Sequence, residues 1–212
     1  LQVRTSIRMQ GLMLSVPGKS SLTIDLPVEK DDTVGRIDTK VWRDQVEAQR
    51  VNRAADQWFS ELLQCPAQLV FMPETHYRQV DPDYFSQQQR VSFADSFPFL
   101  LTHQNSLDEL NQRLPTPLPM SRFRPHIVID GDAPWAEDRW QKLRIGGLNF
   151  AVVKPCSRCI MTTFDVDTLA PSKEPLKTLG TYRRTDSGII FGQNLVHLEY
   201  GVLRVGDEVE IL

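Results

Sequence analysis

Leu148-Asn149-Phe150-Ala151-Val152-Val153-Lys154-Pro155-Cys156-Ser157-Arg158-Cys159-Ile160-Met161-Thr162-Thr163 is the stretch that decides the fold. The apolar, β-branched run from Leu148 to Val153 predicts a strand. Gly146-Gly147, after Leu143-Arg144-Ile145, makes it the second arm of a hairpin. That arm runs directly into Cys156-Ser157-Arg158-Cys159, which holds two of the three cysteines. Ile160 to Phe164 are β-formers, so the cysteine motif is expected between two strand-like runs.

Cysteine is often a small buried hydrophobe, and a single Cys-x-x-Cys leaves structural, metal-binding and redox roles open. A closed zinc site needs four ligands. Cys65 and the scattered His76, His103, His126 and His197 supply no second pair at zinc spacing. A thioredoxin-type motif opens a helix, which the β-formers after Cys159 argue against. Two readings remain: one reactive thiolate stabilised by Arg158, or two inert cysteines.

The 212 residues suffice for one large domain or two small ones, with a sizeable core. A net charge of -3 is far from the basic character of non-specific nucleic-acid binders. No apolar run is long enough to span a membrane. No signal peptide is visible, and three cysteines make no disulfide framework, so a reducing, cytoplasmic setting is expected. The chain begins at Leu1 in strand-like sequence, which reads as a cropped N-terminus, and nothing demands an oligomer.

Ahead of the motif, Arg8 to Val16 and Leu22 to Leu26 alternate around Pro17-Gly18-Lys19-Ser20, predicting a hairpin followed by a Lys30-Asp31-Asp32 loop. Thr33 to Val41 and Val46 to Val51 read as strands around a Trp42 to Gln45 turn. Asn52 fits a helix N-cap, with Ala55, Trp58, Phe59, Leu62 and Leu63 on one face and Cys65-Pro66 at the end. Gln68 to Met72 reads as a buried strand and Pro73 to Arg90 as a long surface loop. Asp95-Ser96 interrupts the apolar run Phe93 to Thr102, as a turn or as the polar lip of a pocket. Ser106-x-x-Glu109 matches a capping box for a helix burying Leu107, Leu110 and Leu114. Pro115 to Pro119 is a break. Pro125 biases Arg124 toward extended backbone before the strand His126 to Ile129, and the Arg124 fork suits an anion. Trp135 and Trp140 flank an acidic patch, Glu137-Asp138, and read as packing residues.

Beyond the motif, Glu174 to Arg184 predicts a helix, Ile189 to Val196 a strand broken at Gly192, and Val202 to Leu212 a final hairpin. Many short strands with few helices predict a mainly β fold with α additions, built as a β-barrel.

One ordered set of motifs resembles a known family: Phe123-Arg124-Pro125, Glu137-Asp138-x-Trp140, Cys156-Ser157-Arg158-Cys159, Thr162-Thr163, Glu174-Pro175-Leu176, Phe191-Gly192-Gln193 and Val205-Gly206-Asp207. It is similar to the MOSC (molybdenum cofactor sulfurase C-terminal) domain, and in particular to the amidoxime-reducing components and their bacterial ferredoxin-fused relatives. The resemblance implies a MOSC domain over 91-212, preceded over 1-90 by part of a MOSC N-terminal-type β-barrel. It implies a molybdenum–molybdopterin cofactor with Cys159 as both metal ligand and catalytic residue. Thiolate is a soft donor that suits molybdenum, and Arg158 is expected to keep it deprotonated. Arg124, Ser157, Arg158, Asp95, Ser96 and Asn194 are the implied cofactor contacts. At Asn194 the amidoxime-reducing proteins have tyrosine. Cys156 is then a non-ligand neighbour.

The implied activity is reduction of N-hydroxylated compounds such as hydroxylaminopurines and amidoximes, a detoxifying reaction. Electrons would come from an NAD(P)H-dependent reductase through a ferredoxin domain carrying [2Fe-2S], which lies outside this chain. A Lys-Ser pair that helps hold the cofactor phosphate in the family also lies outside it, so the fragment alone is expected to grip cofactor less well. Asp95 and His103 are candidate proton donors by position. The alternative is a sulfur-carrying MOSC domain served by a pyridoxal-phosphate desulfurase, with a persulfide on the cysteine.

Overall fold

The computed structural model describes residues 3–9, 11–25 and 35–212. The Lys30-Asp31-Asp32 loop, Leu26 and the first residues of the strand expected from Thr33 lie outside the described residues. The chain divides into two compact units, Leu1–Arg78 and Gln79–Leu212.

In the first unit, β1 (Arg4–Arg8), β2 (Gly11–Val16) and β3 (Lys19–Asp25) form one antiparallel sheet, and β4 (Arg36–Val41), β5 (Asp44–Arg50) and β6 (Val70–Phe71) form another. The single strand expected from Arg8 to Val16 is split, because the chain turns after Arg8 and Arg8 pairs with Gly11. Helix α1 (Arg53–Leu63) starts where the sequence indicates: the Asn52 side chain accepts the N–H of Ala55 at 2.8 Å. Trp58 packs with Leu14, Ile24 and Val51, and its indole N–H donates to the Ser20 carbonyl at 2.7 Å. Leu63 departs from the expected apolar face and is exposed. The buried strand expected over Gln68 to Met72 shrinks to half-buried β6, with Met72 buried beyond it.

The second unit contains β7 (Phe99–His103), α2 (Gln104–Arg113), β8 (Ile127–Ile129), β9 (Lys142–Ile145), β10 (Leu148–Ser157), α3 (Leu176–Leu179), β11 (Arg184–Thr185), β12 (Gly188–His197) and β13 (Val209–Ile211). Short 3-10 helices cover Met120–Phe123, Ala136–Arg139 and Ile160–Thr163. The strands join in the order β13-β9-β10-β12-β7-β8, with β11 on β12, as a nearly closed barrel sheet. Leu101, Ile129, Leu143, Ile145, Phe150 and Leu195 fill it. Leu107, Leu110 and Leu114 of α2 pack with Phe123, Leu179 and Phe191 in a second cluster. The fold is thus mainly β with α additions.

Several local expectations give way to tertiary contacts. The loop up to Arg90 is no mere surface loop, because Val80 and Val91 are buried with Phe97 and Val196. Ser106 does not cap α2. His103 does, its Nδ1 accepting the N–H of Asn105 at 3.1 Å. Ile160 to Thr163 leaves the sheet as a 3-10 helix, because Thr162 Oγ1 and Thr163 Oγ1 donate back to the carbonyls of Cys159 and Ile160. The helix expected over Glu174 to Arg184 is one turn, α3. The hairpin expected over Val202 to Leu212 is instead a turn followed by β13, which pairs with β9. Strand β12 continues through Gly192, whose φ of 81° is open to glycine.

Glu137, read from sequence as part of an acidic patch, is fully buried. Ser106 Oγ donates to its carboxylate and in turn accepts the N–H of Trp135 at 2.8 Å. Burial pushes the Glu137 carboxyl above its ordinary value of 4.5, partly offset by hydrogen bonds from its own backbone and from Ser106. Because the folded value is raised, Glu137 favours folding below the ordinary value, and that contribution is lost as pH rises through the folded value. Glu137→Gln carries no charge at any pH. Relative to the native chain it should therefore gain stability as pH rises from 4.5 toward neutrality. Urea unfolding across that range measures this, and parallel curves for the two chains would refute it.

Candidate cofactor site

Strand β10 slips twice in register against β12 as it approaches the motif, between Val152 and Lys154 and between Pro155 and Ser157. The last sheet-like contact is from the Arg158 N–H to the Ile189 carbonyl, at 2.7 Å. At Gly188 (φ 115°) a Cβ would strike the Ser157 hydroxyl, so glycine there leaves room for the exposed Ser157 side chain. Cys156 is half-buried and Cys159 exposed, both as free thiols.

Arg158 is the tie of the site. Its Nη1 donates to Cys156 Sγ at 2.9 Å and its Nη2 to the Phe123 carbonyl at 2.7 Å. Its guanidinium sits 5.7 Å from the Phe123 ring centroid, and its buried Nε has no partner among the described residues. The sulfur that Arg158 contacts is therefore that of Cys156, not that of Cys159 as the sequence reading expected. Phe123 is itself held by stacking on Phe191, with centroids 3.8 Å apart and planes 14° from parallel.

Arg124 follows Phe123 in left-handed backbone (φ 54°), not the extended form expected before proline. It terminates the 3-10 helix, its N–H donating to the Ser121 carbonyl at 3.1 Å, and its side chain is exposed. On the other side of Arg158, Cys159 caps the 3-10 helix Ile160–Thr163. Arg122 Nη2 donates to Asp165 at 3.0 Å, which joins the Arg124 turn to the loop beyond Cys159. Arg124, Ser157, Arg158 and Cys159 are thus brought together.

Asn194 lies on β12 opposite Lys154, and its amide donates to the Lys154 carbonyl at 3.2 Å. Asp95 and Ser96 are exposed in the turn before Phe97. The turn reaches β10 indirectly: Phe97 meets Tyr84 edge-on, and Lys154 Nζ lies 4.0 Å from the Tyr84 centroid. His103 is buried as the helix cap, and burial pushes its imidazole below the ordinary value.

Sequence reasoning gave no role to the Phe123–Phe191 stack or to the Tyr84–Lys154 contact. It named Asp138 in a motif but not its partners: the carboxylate accepts from Arg183 at 2.5 and 2.9 Å and from Gln193 at 2.9 Å. The Gln in Phe191-Gly192-Gln193 is the signal that pointed that way; the ring pairs join residues far apart in the chain and carry no local signature.

Among the described residues no cluster of three His, Cys, Asp or Glu side chains is placed to hold a metal ion. A metal here would take Cys159 as a single soft protein donor, with its other ligands from an organic cofactor. Arg124, Ser157 and Arg158 are suited to an anionic part of such a group, since arginine forks bind phosphate bidentately. The orphaned Nε of Arg158 fits the same assignment.

Residues 88–210 match the MOSC domain model, and residues 1–66 match the MOSC N-terminal beta barrel domain. The chain belongs to the MOSC domain family. Mitochondrial amidoxime-reducing component 1 of Homo sapiens is 34% identical over 224 residues, covering 99% of this chain and 66% of the human protein. Its Xenopus laevis counterpart is 30% identical, covering 93% of this chain and 62% of that protein. The molybdenum cofactor sulfurase of Oryza sativa subsp. japonica is 34% identical over 169 residues, covering 72% of this chain and 20% of the sulfurase. This MOSC chain therefore spans less than two thirds of the length of these relatives. Among its described residues no helix is long and apolar enough to cross a membrane.

Proposed function

We propose that this MOSC chain is the cofactor-binding part of a molybdenum-dependent reductase of N-hydroxylated compounds, with 91-212 as the MOSC domain and 1-90 as part of an N-terminal-type barrel. What carries the reading is the exposed Cys159 thiol, a soft donor directly after Arg158, whose guanidinium is tied to the Phe123 carbonyl ahead of Arg124. Likeness to amidoxime-reducing components over nearly the whole chain supports it. When bound, the molybdenum cofactor supplies the two-electron chemistry that splits the N–O bond. Two protons and two electrons convert the N-hydroxyl to N–H and water.

Cys159 ligates the metal. Arg124 pairs with the pterin phosphate, Ser157 and Arg158 donate hydrogen bonds to the same group, and Asn194 and the Asp95-Ser96 turn line the approach. Of the two candidate proton donors, Asp95 is open to solvent while His103 is buried as a helix cap, so Asp95 is the one assigned to proton delivery. The electrons come from an iron–sulfur partner domain reduced by an NAD(P)H-dependent reductase.

The test is the protein purified from a cofactor-competent host, assayed for molybdenum by mass spectrometry and for amidoxime reduction with a chemical electron donor. Bound molybdenum and turnover are expected, the metal below one per chain where this fragment grips the cofactor less well than a full-length chain. Folded, metal-loaded protein with no turnover would overturn the reductase reading. The likeness to a cofactor sulfurase favours a second reading, sulfur carriage, whose mark would be a persulfide on Cys159 in metal-free protein.

A further inference from the structure

Arg122 lies two residues before Arg124 and, unlike it, is buried, with its side chain 5% exposed. A guanidinium taken out of water is costly to the fold unless it is paired. Among the described residues its one partner is Asp165. Nη2 donates to Asp165 Oδ2 at 3.0 Å, and the buried Nε has no acceptor. The carboxylate divides its two oxygens. Oδ1 accepts from the backbone of Asp167 and Thr168 and from the Thr168 hydroxyl, which shapes the loop beyond the cysteine motif. Oδ2 is left for Arg122.

This pair is the second of two ties between the same parts of the chain. The first is from Arg158 Nη2 to the Phe123 carbonyl, at 2.7 Å. The segment from Arg158 to Asp165 is thus anchored at both ends on adjacent residues, Phe123 and Arg122, with Cys159 between the anchors. One tie leaves such a segment free to swing about its anchor; a second removes that freedom. The next residue along the anchoring turn is Arg124. The thiol and the exposed arginine fork therefore sit on one doubly tied frame.

We infer that Arg122 is a positioning residue: through Asp165 it holds the Cys159 segment at a fixed span from Arg124, so that one cofactor meets the thiolate and the arginine fork together. The inference rests on the cofactor-binding reading above. A ligand that engages two groups gains from both only where their spacing matches it, and a rigid frame avoids the ordering cost on binding. A small anion that meets Arg124 alone gains nothing from the tie. A pair that served only the fold would act on the stability of the whole unit instead.

The experiment compares the native chain with Arg122→Met, Asp165→Asn and the double variant, all from a cofactor-competent host. Methionine keeps apolar bulk in the buried position without the charge. Asparagine keeps an oxygen for the Asp167 and Thr168 bonds but not the anion. Molybdenum retained through gel filtration should fall about tenfold in each single variant, and no further in the double, because both residues serve one tie. Arg122→Lys, which keeps the cation, should recover part of the metal. In the cofactor-free variants, hydrogen exchange at the Thr162 and Phe164 amides, bonded to the carbonyls of Cys159 and Met161, should quicken about tenfold while β12 exchanges as in the native chain. The Arg124 side-chain NMR signal should respond to inorganic phosphate at the native concentration. Native metal retention with native exchange in both single variants would overturn the inference, and so would exchange quickened equally across β12, the mark of a plain fold contact. A native chain that holds no molybdenum would remove the cofactor reading, and exchange at Thr162 and Phe164 would then decide the tie alone.

Discussion

The Cys159→Ala chain is expected to lose its molybdenum and, with it, reduction of N-hydroxylated compounds, while melting as the native chain does. The side chain is exposed and makes no hydrogen bond among the described residues, so its removal should change stability by no more than about 0.5 kcal/mol. Its carbonyl, which accepts from Thr162, belongs to the backbone and survives the substitution. Serine should not rescue the site, because a hydroxyl is a harder and weaker donor than thiolate. Cys156→Ala gives the matching contrast. It removes the sulfur that Arg158 Nη1 contacts but no metal ligand, so metal is expected to stay bound, less tightly, as the guanidinium loses one of its two anchors. Molybdenum content after gel filtration distinguishes the two. Retention of metal by Cys159→Ala, or its complete loss from Cys156→Ala alone, would move the ligand assignment from Cys159.

The largest stability effect is expected from Phe191→Ala, at about 3–5 kcal/mol. Phe191 is fully buried, stacked on Phe123 and edge-on to Trp135 at 5.8 Å. Alanine there opens a cavity that the barrel strand β12 cannot collapse into. The damage should reach the cofactor site, because Phe123 presents the carbonyl that anchors Arg158 and leads directly into the Arg124 turn. The chain has two compact units, so hydrogen exchange at the β12 amides is a cleaner readout than a single melting curve. Exchange at the native rate in Phe191→Ala would mean that the stack contributes little.

Where sequence reasoning succeeded, the signal was local and periodic. The hairpin β9–β10 is written in its glycine pair and alternating arms, and α1 in its Asn52 cap and the spacing of Ala55 and Trp58. The mainly β fold is legible in the density of short strands. Where it failed, a local preference met a stronger distant contact. Pro125 favours extended backbone at Arg124, yet the 3-10 helix ahead of it needs a left-handed cap. Ser106 and Glu109 spell a capping box, but Ser106 serves Glu137 and Glu109 accepts from Arg113 and Tyr182. The β-formers after Cys159 never joined the sheet, because two threonine hydroxyls satisfied the backbone of a tight turn first.

The sequence by itself determined the family, the fold class and the residue types of the candidate site, because ordered motifs, hydrophobic period and turn chemistry are all local properties of a chain. The tertiary structure alone decided the partnerships: Arg158 with Cys156 and the Phe123 carbonyl, Asn194 with Lys154, and Ile160 and Met161 turned outward together beside Cys159. Hydrogen-bond geometry and ring packing act between atoms a few ångströms apart in space, and only the nearly closed sheet with its pinned 3-10 turns sets which atoms those are.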